Sequence, residues 1–263
     1  MSESRRKQKK LGLSMRGGAA KTASYLGVIR ALEENDIEIH AIVGSSGGAI
    51  AGGSYAALKD VEKCIMHYTR FTPNRFIGFD SLRDMRLASD DKTIEFAREL
   101  TGNLKIQDAK IPLFIQVTDI DCGESVFIEK GEIAKTAIAS SAMPWVVKPI
   151  VINNRRYVDG DISSGFGVSF LKSRGIDVVF GFCPSHAYTT SEYKDGIAAI
   201  ARPVDIMTKQ IRLLDQLLDP VDLMFENLAG GFGLNDFKKA REIADNGYKV
   251  AMEKMDEIKS LLY

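Results

Sequence analysis

A run of β-branched and apolar residues, Ile37–Val43, leads directly into a turn made only of glycine and serine, Gly44-Ser45-Ser46-Gly47-Gly48. The ten residues after it, Ala49–Leu58, carry no charge and are mostly small. This pattern predicts a buried strand, a sharp turn and a helix. A turn this tight strains the backbone and leaves room only for small neighbours, so it strongly limits the folds open to the chain.

An earlier segment repeats this order of elements. Lys10–Ser14 is typical of a short strand, a glycine-rich loop follows, and Ala23–Asn35 has apolar residues at helical spacing. Strand, loop, helix, strand, turn and helix in succession indicate a parallel sheet with helices packed on it. We therefore expect an α/β fold with a mostly parallel central sheet, covered by helices on both faces in three layers.

The rest of the chain continues as an α/β pattern and then becomes helical. We expect paired strands at Leu113–Asp119 and Ser125–Glu129, a helix at Ile133–Ser141, strands at Pro149–Asn153 and Arg156–Val158, and a last buried strand at Asp177–Phe182. From about residue 195 the pattern is helical. These elements predict one domain over residues 11–263, preceded by a flexible basic tail over residues 1–10.

The composition is that of an ordinary globular protein. Of the 263 residues, 45% are hydrophobic and 27% charged, which suits one large domain with a full core. The 35 basic and 35 acidic residues balance, so net charge gives nucleic-acid binding no support. The cysteines, Cys64, Cys122 and Cys183, form no CxxC pair or metal-ligand cluster. We expect reduced thiols, a cytoplasmic location, and no cofactor or metal.

Two segments raise the question of a membrane. Arg5–Lys10 contains five basic residues in six, which indicates either a solvated tail or a contact with anionic lipid. The apolar-rich segment Leu213–Phe232 is interpreted either as a helix packed on the core or as a lid or membrane contact. No secretory signal is visible, and the uncharged stretch Ala41–Leu58 is too short and too rich in Gly and Ser to span a bilayer.

Ser46 is the candidate nucleophile, because Gly44-Ser45-Ser46-Gly47-Gly48 satisfies the G-x-S-x-G pattern between a strand and a helix. Gly44, Gly47 and Gly48 leave room for the turn. The turn would expose the Ser46 hydroxyl above the amino end of the next helix, where free N–H groups favour a developing oxyanion. The alternative is a turn of Gly and Ser that serves packing alone.

A serine nucleophile needs a base. Asp159, in Tyr157-Val158-Asp159-Gly160-Asp161, follows a predicted strand and precedes a glycine, so it can point into the same cleft. Among the histidines, His40, His67 and His186, only His186 stays a candidate, because Ser46, Asp159 and His186 have the chain order of an α/β-hydrolase triad. An ordinary Asp-Gly turn is the other explanation for Asp159.

The glycine-rich loop supplies a third role. Gly17, Gly18 and Ala19 follow a strand and precede a helix, so their consecutive N–H groups could bind an oxyanion. A phosphate-binding loop is the alternative, but the P-loop spacing is absent.

In this order, the loop, the G-x-S-x-G turn and the Asp159-Gly160 pair resemble the patatin-like phospholipase family, which carries a G-G-G-x-[RK]-G loop, a G-x-S-x-G turn and a D-G-[GA] motif. The similarity runs from about Leu11 to Phe182 and includes the segment Ala139-Ser140-Ser141-Ala142-Met143-Pro144. The resemblance implies a Ser46–Asp159 dyad without histidine or metal, an oxyanion hole at Gly17, Gly18 and Ala19, an acyl-enzyme, and a lipid or phospholipid substrate at a membrane surface.

Five residues depart from the family pattern. Met15-Arg16 is inserted before the glycines, Ala19 and Thr22 replace glycines, and Asp161 stands third in D-G-[GA]. A second carboxylate beside Asp159 would raise the pKa of one of the two. These departures keep two other functions open: a catalytically silent lipid- or partner-binding protein, and an acyltransferase that uses the same serine. The substrate lipid and the oligomeric state are not indicated.

Overall fold

The computed structural model of the protein describes residues 7–70, 90–145, 147–184 and 196–263. The strands are β1 Leu11–Met15, β2 Ile39–Gly44, β3 Leu113–Asp119, β4 Glu124–Ile128, β5 Ile150–Ile152, β6 Arg155–Val158, β7 Val178–Cys183 and β8 Leu223–Glu226. The α-helices are α1 Ala23–Glu34, α2 Gly47–Leu58, α3 Val61–Arg70, α4 Asp90–Thr101, α5 Ile133–Ser140, α6 Val168–Ser173, α7 Gly196–Leu218, α8 Ala240–Glu253 and α9 Met255–Leu262. Short 3-10 helices lie at Ala19–Thr22, Ile106–Asp108, Gly160–Ile162 and Phe237–Lys239.

The strands form one eight-stranded sheet in the order β5-β6-β3-β2-β1-β7-β8, with β4 paired to β3. The strands β3, β2, β1, β7 and β8 are parallel to one another, whereas β4 and β6 pair antiparallel with β3, and β5 pairs antiparallel with β6. Alternate residues of β2 enter different cores: Ile42 packs with α1 and α2, and Val43 packs with α6. The predicted mostly parallel sheet with helices on both faces is confirmed.

Two strands run toward each other along one edge of β3. β2 pairs with its first half, where Gly44 lies beside Ile115, and β6 pairs with its second half, where Val158 lies beside Thr118. β4 takes the other edge over the same stretch. The ends of β2 and β6 are therefore separated by about three residues of β3, or about 10 Å. The turns that follow them meet in this gap.

The predicted strand at Asp177–Phe182 is present as β7, but the prediction that it is the last strand was wrong. β8 follows and pairs parallel with β7, burying Leu223 and Phe225. The apolar-rich segment Leu213–Phe232 thus divides between the exposed end of α7 and this buried strand, with Pro220 between them. A four-residue strand offers only two inward positions, too few to distinguish its alternation from a helical pattern.

The end of the basic N-terminal segment contacts the body of the protein. The N–H of Lys9 donates to the carbonyl of Leu262 over 2.9 Å, and the N–H of Lys10 donates to the Asp177 carboxylate over 2.8 Å. Residues 1–6 lie outside the described residues, so the flexible basic tail stays a prediction.

Helices α1 and α8 cross with their backbones in contact. A Cβ on Gly27 of α1 would lie 1.7 Å from the Ala244 carbonyl oxygen, and one on Gly247 of α8 would lie 1.9 Å from the Ser24 carbonyl oxygen. Because backbone atoms cannot move aside alone, each glycine sets the distance between the helices. The crossing matters for the site, since α1 begins directly after the glycine-rich loop.

We expect Gly27→Ala to destabilise the protein by about 2 kcal/mol or more, because the methyl group must push the two helices apart. Alanine is the better helix former by about 1 kcal/mol, so a loss of stability must come from the crossing. Denaturant unfolding measures the change. Gly231→Ala is the matched control, since a Cβ there meets nothing within 4 Å. A Gly27→Ala protein as stable as the control would contradict the proposed packing.

Candidate active site

Ser46 lies where β2 ends and α2 begins, in a backbone conformation that L-residues avoid, with φ 52° and ψ −129°. The turn is held from below. The N–H of Ser46 donates to Oγ of Ser140 over 2.8 Å, and this hydroxyl donates to the Gln116 carbonyl over 2.6 Å. A Cβ on Gly48 would lie 2.1 Å from the Met15 carbonyl oxygen, so only glycine fits there. The predicted sharp turn is present.

Asp159 lies in the gap between the two strand ends and meets Ser46. Oγ of Ser46 donates to Oδ2 of Asp159 over 2.8 Å, and the N–H of Asp161 donates to Oδ1 over 2.9 Å. The backbone of Asp159 is fixed by hydrogen bonds to Ala142 and to the Thr118 hydroxyl. Both carboxylate oxygens are therefore bonded, and one of them points at the serine.

The residue after Asp159 must be glycine for a steric reason. A Cβ on Gly160 would lie 2.2 Å from the Gln116 carbonyl oxygen of β3. Gln116 also donates from its amide to the Gly160 carbonyl over 3.2 Å. The Asp-Gly pair is thus a packing requirement at this edge of β3 as well as a turn.

The Asp159 carboxyl titrates far from its ordinary range. Burial raises its pKa most, and the nearby charge of Asp161 raises it further, to about 7. The hydrogen bonds from Asp161 N–H and Ser46 act in the opposite direction, as does Arg16. A carboxyl with a pKa near neutrality can accept a proton at physiological pH, which the ordinary value would not favour.

The glycine-rich loop lies directly on the nucleophile. A Cβ on Gly17 would lie 2.5 Å from Cβ of Ser46, so the backbone of the loop lies against the Ser46 side chain. The N–H of Gly17 donates to Oδ2 of Asp161 over 3.0 Å. Within the described residues the N–H groups of Gly18 and Ala19 have no acceptor, and Ala19 has a positive φ of 48°. These two donors directly follow Gly17, the loop residue that lies against Ser46.

Arg16 and Asp161 are two of the departures from the family pattern, and they form an ion pair, with Nε 3.2 Å from Oδ1. Arg16 is 3% exposed. Its remaining N–H groups donate to the carbonyls of Asp161, Ser164 and Gly165. Ser45 donates its hydroxyl to the same carboxylate oxygen. The ion pair joins the glycine-rich loop, the Ser46 turn and the segment after Asp159.

The histidines differ in position. His40 lies at the amino end of β2, where its Nδ1 accepts the N–H of Leu11, so β2 separates it from Ser46. His67 lies on α3, and its Nδ1 has no hydrogen-bond partner among the described residues. Burial lowers its pKa and favours the neutral ring. His186 lies outside the described residues.

Three side chains that hold the site had no assigned role in the sequence: Ser140, Ser45 and Arg16. Ser140 lies in the segment over 139–144 that resembles the family. This resemblance was the only sequence feature that pointed to Ser140. Arg16 and Asp161 each stood out as a departure, but they are 145 residues apart, and no local pattern joins positions so distant.

Comparison with known proteins identifies the family of the chain. The family model described as patatin-like phospholipase matches residues 13–171. An uncharacterised protein of the NTE family from Mycobacterium bovis is 30% identical over 155 residues, covering 58% of this chain and 43% of that protein. A lysophospholipase from Coccidioides immitis is 27% identical and covers 96% of this chain but 18% of that protein. The chain thus spans less than half the length of these relatives.

The fold also matches a solved structure. The crystal structure of VipD from Legionella pneumophila aligns with 95% of this chain and 67% of that chain, at a TM-score of 0.51 and 15% identity. At this identity the likeness concerns the fold alone.

The raised pKa of Asp159 makes a prediction about stability. The folded pKa, about 7, exceeds the unfolded value of about 4, so ionisation opposes folding as pH rises through this interval. We expect Asp159→Asn to be more stable than the wild type at pH 8, by on the order of 2 kcal/mol. The advantage should shrink toward pH 4, where the folded carboxyl is protonated and about half of the unfolded carboxyls are as well.

Thermal unfolding between pH 4 and pH 8 measures this difference. Asp245→Asn is the control, because Asp245 is an exposed aspartate paired with Arg30. If the stability difference between Asp159→Asn and the wild type is the same at pH 8 and at pH 4, ionisation of Asp159 does not destabilise the folded protein.

Proposed function

The chain belongs to the patatin-like phospholipase family, and on this basis we propose that it hydrolyses acyl esters of lipids, with Ser46 as nucleophile and Asp159 as its base. The observation that carries the proposal is the hydrogen bond of 2.8 Å between Oγ of Ser46 and the buried carboxylate of Asp159. A strained serine at the amino end of a helix, bonded to a carboxyl of raised pKa, is the arrangement that nucleophilic acyl transfer requires.

In the first half of the proposed reaction, Oγ of Ser46 attacks the ester carbonyl carbon while its proton passes to Asp159. The negative charge that develops on the carbonyl oxygen is stabilised by the amino end of α2 and by the N–H groups of Gly18 and Ala19, which have no acceptor among the described residues. Asp159 then returns the proton to the leaving oxygen, and an alcohol or lysolipid departs from the acyl-enzyme.

In the second half, water attacks the acyl carbon and gives its proton to Asp159. The Ser46–acyl bond breaks, Ser46 recovers the proton, and a fatty acid is released. The same carboxyl therefore acts first as base and then as acid in each half, and a pKa near 7 suits both roles at neutral pH.

The other two functions differ in what they require of Ser46. An acyltransferase would form the same acyl-enzyme but give the acyl group to an alcohol in place of water. A silent binding protein would keep the fold without an activated serine. Reaction with a fluorophosphonate distinguishes the silent protein, because only an activated Ser46 is labelled.

We expect Ser46→Ala and Asp159→Asn each to lower turnover of a short-chain soluble ester by about 10³-fold or more, because the two groups act as one unit. His186→Ala should stay within a few-fold of the wild type. Steady-state hydrolysis, with fluorophosphonate labelling as a second readout, measures both effects.

Ser54→Ala is the matched control, since Ser54 is a buried serine of α2 whose hydroxyl has no partner among the described residues. Full activity in a folded Ser46→Ala protein would refute the nucleophile. Loss of activity in His186→Ala equal to that of Ser46→Ala would replace the dyad with a triad.

We propose that the enzyme reaches its substrate through the exposed apolar end of α7. Leu217 and Leu218 are 81% and 85% exposed, and Leu213 and Leu214 one turn earlier are also exposed. On the other face of the helix, Asp215 accepts the N–H of Phe166. This attaches α7 to the segment whose carbonyls bind Arg16. The leucines thus lie on an element in contact with the site, and none of the described helices is suited to cross a membrane.

We expect a Leu217→Asp, Leu218→Asp double variant to bind phospholipid vesicles about tenfold or more weakly, since each leucine that enters a bilayer surface contributes roughly 1 kcal/mol or more. Hydrolysis of a soluble ester should be unchanged. Vesicle co-sedimentation and the two activities measure the separation, with Met252→Asp, at 40% exposure on α8, as control. Equal vesicle binding by all three proteins would exclude this surface.

The basic tail is tested separately. Deletion of residues 1–6 leaves the contacts of Lys9 and Lys10 with the body intact. The deletion should weaken binding to anionic vesicles at low salt only, because the attraction is screened over about 10 Å at 0.1 M salt. Binding that is unchanged at low salt would show that Arg5 and Arg6 have no part in it.

A further inference from the structure

The carboxylate of Asp161 lies beside the nucleophile and the glycine-rich loop, where the proposed reaction develops negative charge. Its Oδ2 accepts the N–H of Gly17, the first of the three consecutive groups in the glycine-rich loop. The point where a Cβ of Gly17 would lie is 2.8 Å from this oxygen and 2.8 Å from Oγ of Ser46. An internal anion thus shares one small space with the nucleophile.

This carboxylate is firmly held. Arg16 contacts it through Nε, Ser45 donates to it, and the Asp161 side chain is 19% exposed. The family pattern has glycine or alanine at this position, which could neither accept the Gly17 N–H nor bring a charge. The chain therefore carries a group at this position that competes with an oxyanion for a donor.

We propose that Asp161 restrains the proposed reaction, because its carboxylate, held by Arg16, takes the Gly17 N–H that would otherwise stabilise the oxyanion. The oxyanion is left with Gly18 and Ala19, and it forms beside a fixed negative charge. Full rate requires that this carboxylate be displaced or neutralised. The inference rests on the proposed function and assigns Asp161 as a positioning residue within it.

The described residues place few charges around Asp161. Asp159, Arg16, Tyr25 and Cys183 face it from the neighbouring elements. Burial raises the pKa of the Cys183 thiol to about 12 and that of the Tyr25 hydroxyl well above its usual value, so both are neutral. Arg16 is thus the one cation and Asp159 the other anion in this group, and removal of the Asp161 charge must lower the pKa of Asp159.

The test is the rate of fluorophosphonate labelling as a function of pH. Oγ of Ser46 forms a bond to phosphorus, fluoride leaves, and Asp159 takes the proton, while the phosphoryl oxygen occupies the oxyanion position. At pH 8 we expect Asp161→Gly to be labelled at least about tenfold faster than the wild type, since one oxyanion donor is worth roughly 10²–10³-fold in turnover. Asp161→Asn, which loses the charge but keeps an acceptor, should be several-fold faster.

The pH profile gives a readout that a purely structural role would not move. In both variants the midpoint of the rise in labelling should shift to lower pH, because Asp159 loses its like-charged neighbour. Asp245→Asn, another arginine-paired aspartate, should keep the wild-type rate and midpoint. Asp161→Asn keeps the side-chain volume. If the glycine variant unfolds, the asparagine variant alone tests whether the Asp161 charge slows labelling of Ser46.

Labelling of folded Asp161 variants that is equal to or slower than that of the wild type would overturn the inference and leave the proposed function intact, provided that Ser46→Ala abolishes wild-type labelling. If the Asp161 variants are labelled and the wild type is not, the inference is supported, and the restraint of Ser46 by Asp161 is strong. If neither the wild type nor any variant is labelled, both the inference and the proposed function fail.

Discussion

Two strands that meet end to end along one edge of β3 bring Ser46 and Asp159 together, although 113 residues separate them in the chain. The pairing registers of β2 and β6 on β3 fix the gap between the two strand ends, so the turns that follow these strands both lie in this gap. Three contacts make the meeting possible: Gly48 against the Met15 carbonyl, Gly160 against the Gln116 carbonyl, and Ser140 beneath the Ser46 N–H. The first two are steric limits set by a backbone carbonyl, which explains why both positions are glycine, and the third is a hydrogen bond from the Ser46 backbone to the Ser140 hydroxyl.

The site concentrates charge in a place with little water. Two carboxylates, Asp159 and Asp161, lie beside one buried cation, Arg16. Burial first, and then the charge of Asp161, raises the pKa of Asp159. Such an arrangement opposes folding above neutral pH, yet it gives the carboxyl the proton affinity that a base needs. Stability and chemistry therefore make opposite demands on the same residue, as is common where a site depends on buried charge.

The sequence predicted those parts of the fold that rest on local periodicity and turn chemistry. The strands around Ser46 and Asp159, the antiparallel pair β3–β4 and the helical C-terminal part all have clear patterns. β8 was missed because four residues do not establish a period, and the apolar segment around Pro220 was assigned as one unit. In the site, Ser46 and Asp159 were identifiable by motif, whereas the Arg16–Asp161 pair depends on three-dimensional proximity between two positions with no shared pattern.

The position of β1 in the sheet has a consequence for how this protein could be divided. β1 lies between β2 and β7, and the residues matched by the family model end at 171, before β7 begins. The segment that bears all the recognisable motifs thus lacks the strand that covers one side of β1 and the helix α8 that packs on α1. In a fragment cut at that point, one edge of β1, which is fully buried in the intact protein, would be unpaired and exposed to solvent, as would one face of α1. An exposed strand edge is a template for pairing with other chains. The stretch of chain that carries the motifs is therefore shorter than the stretch that the fold needs.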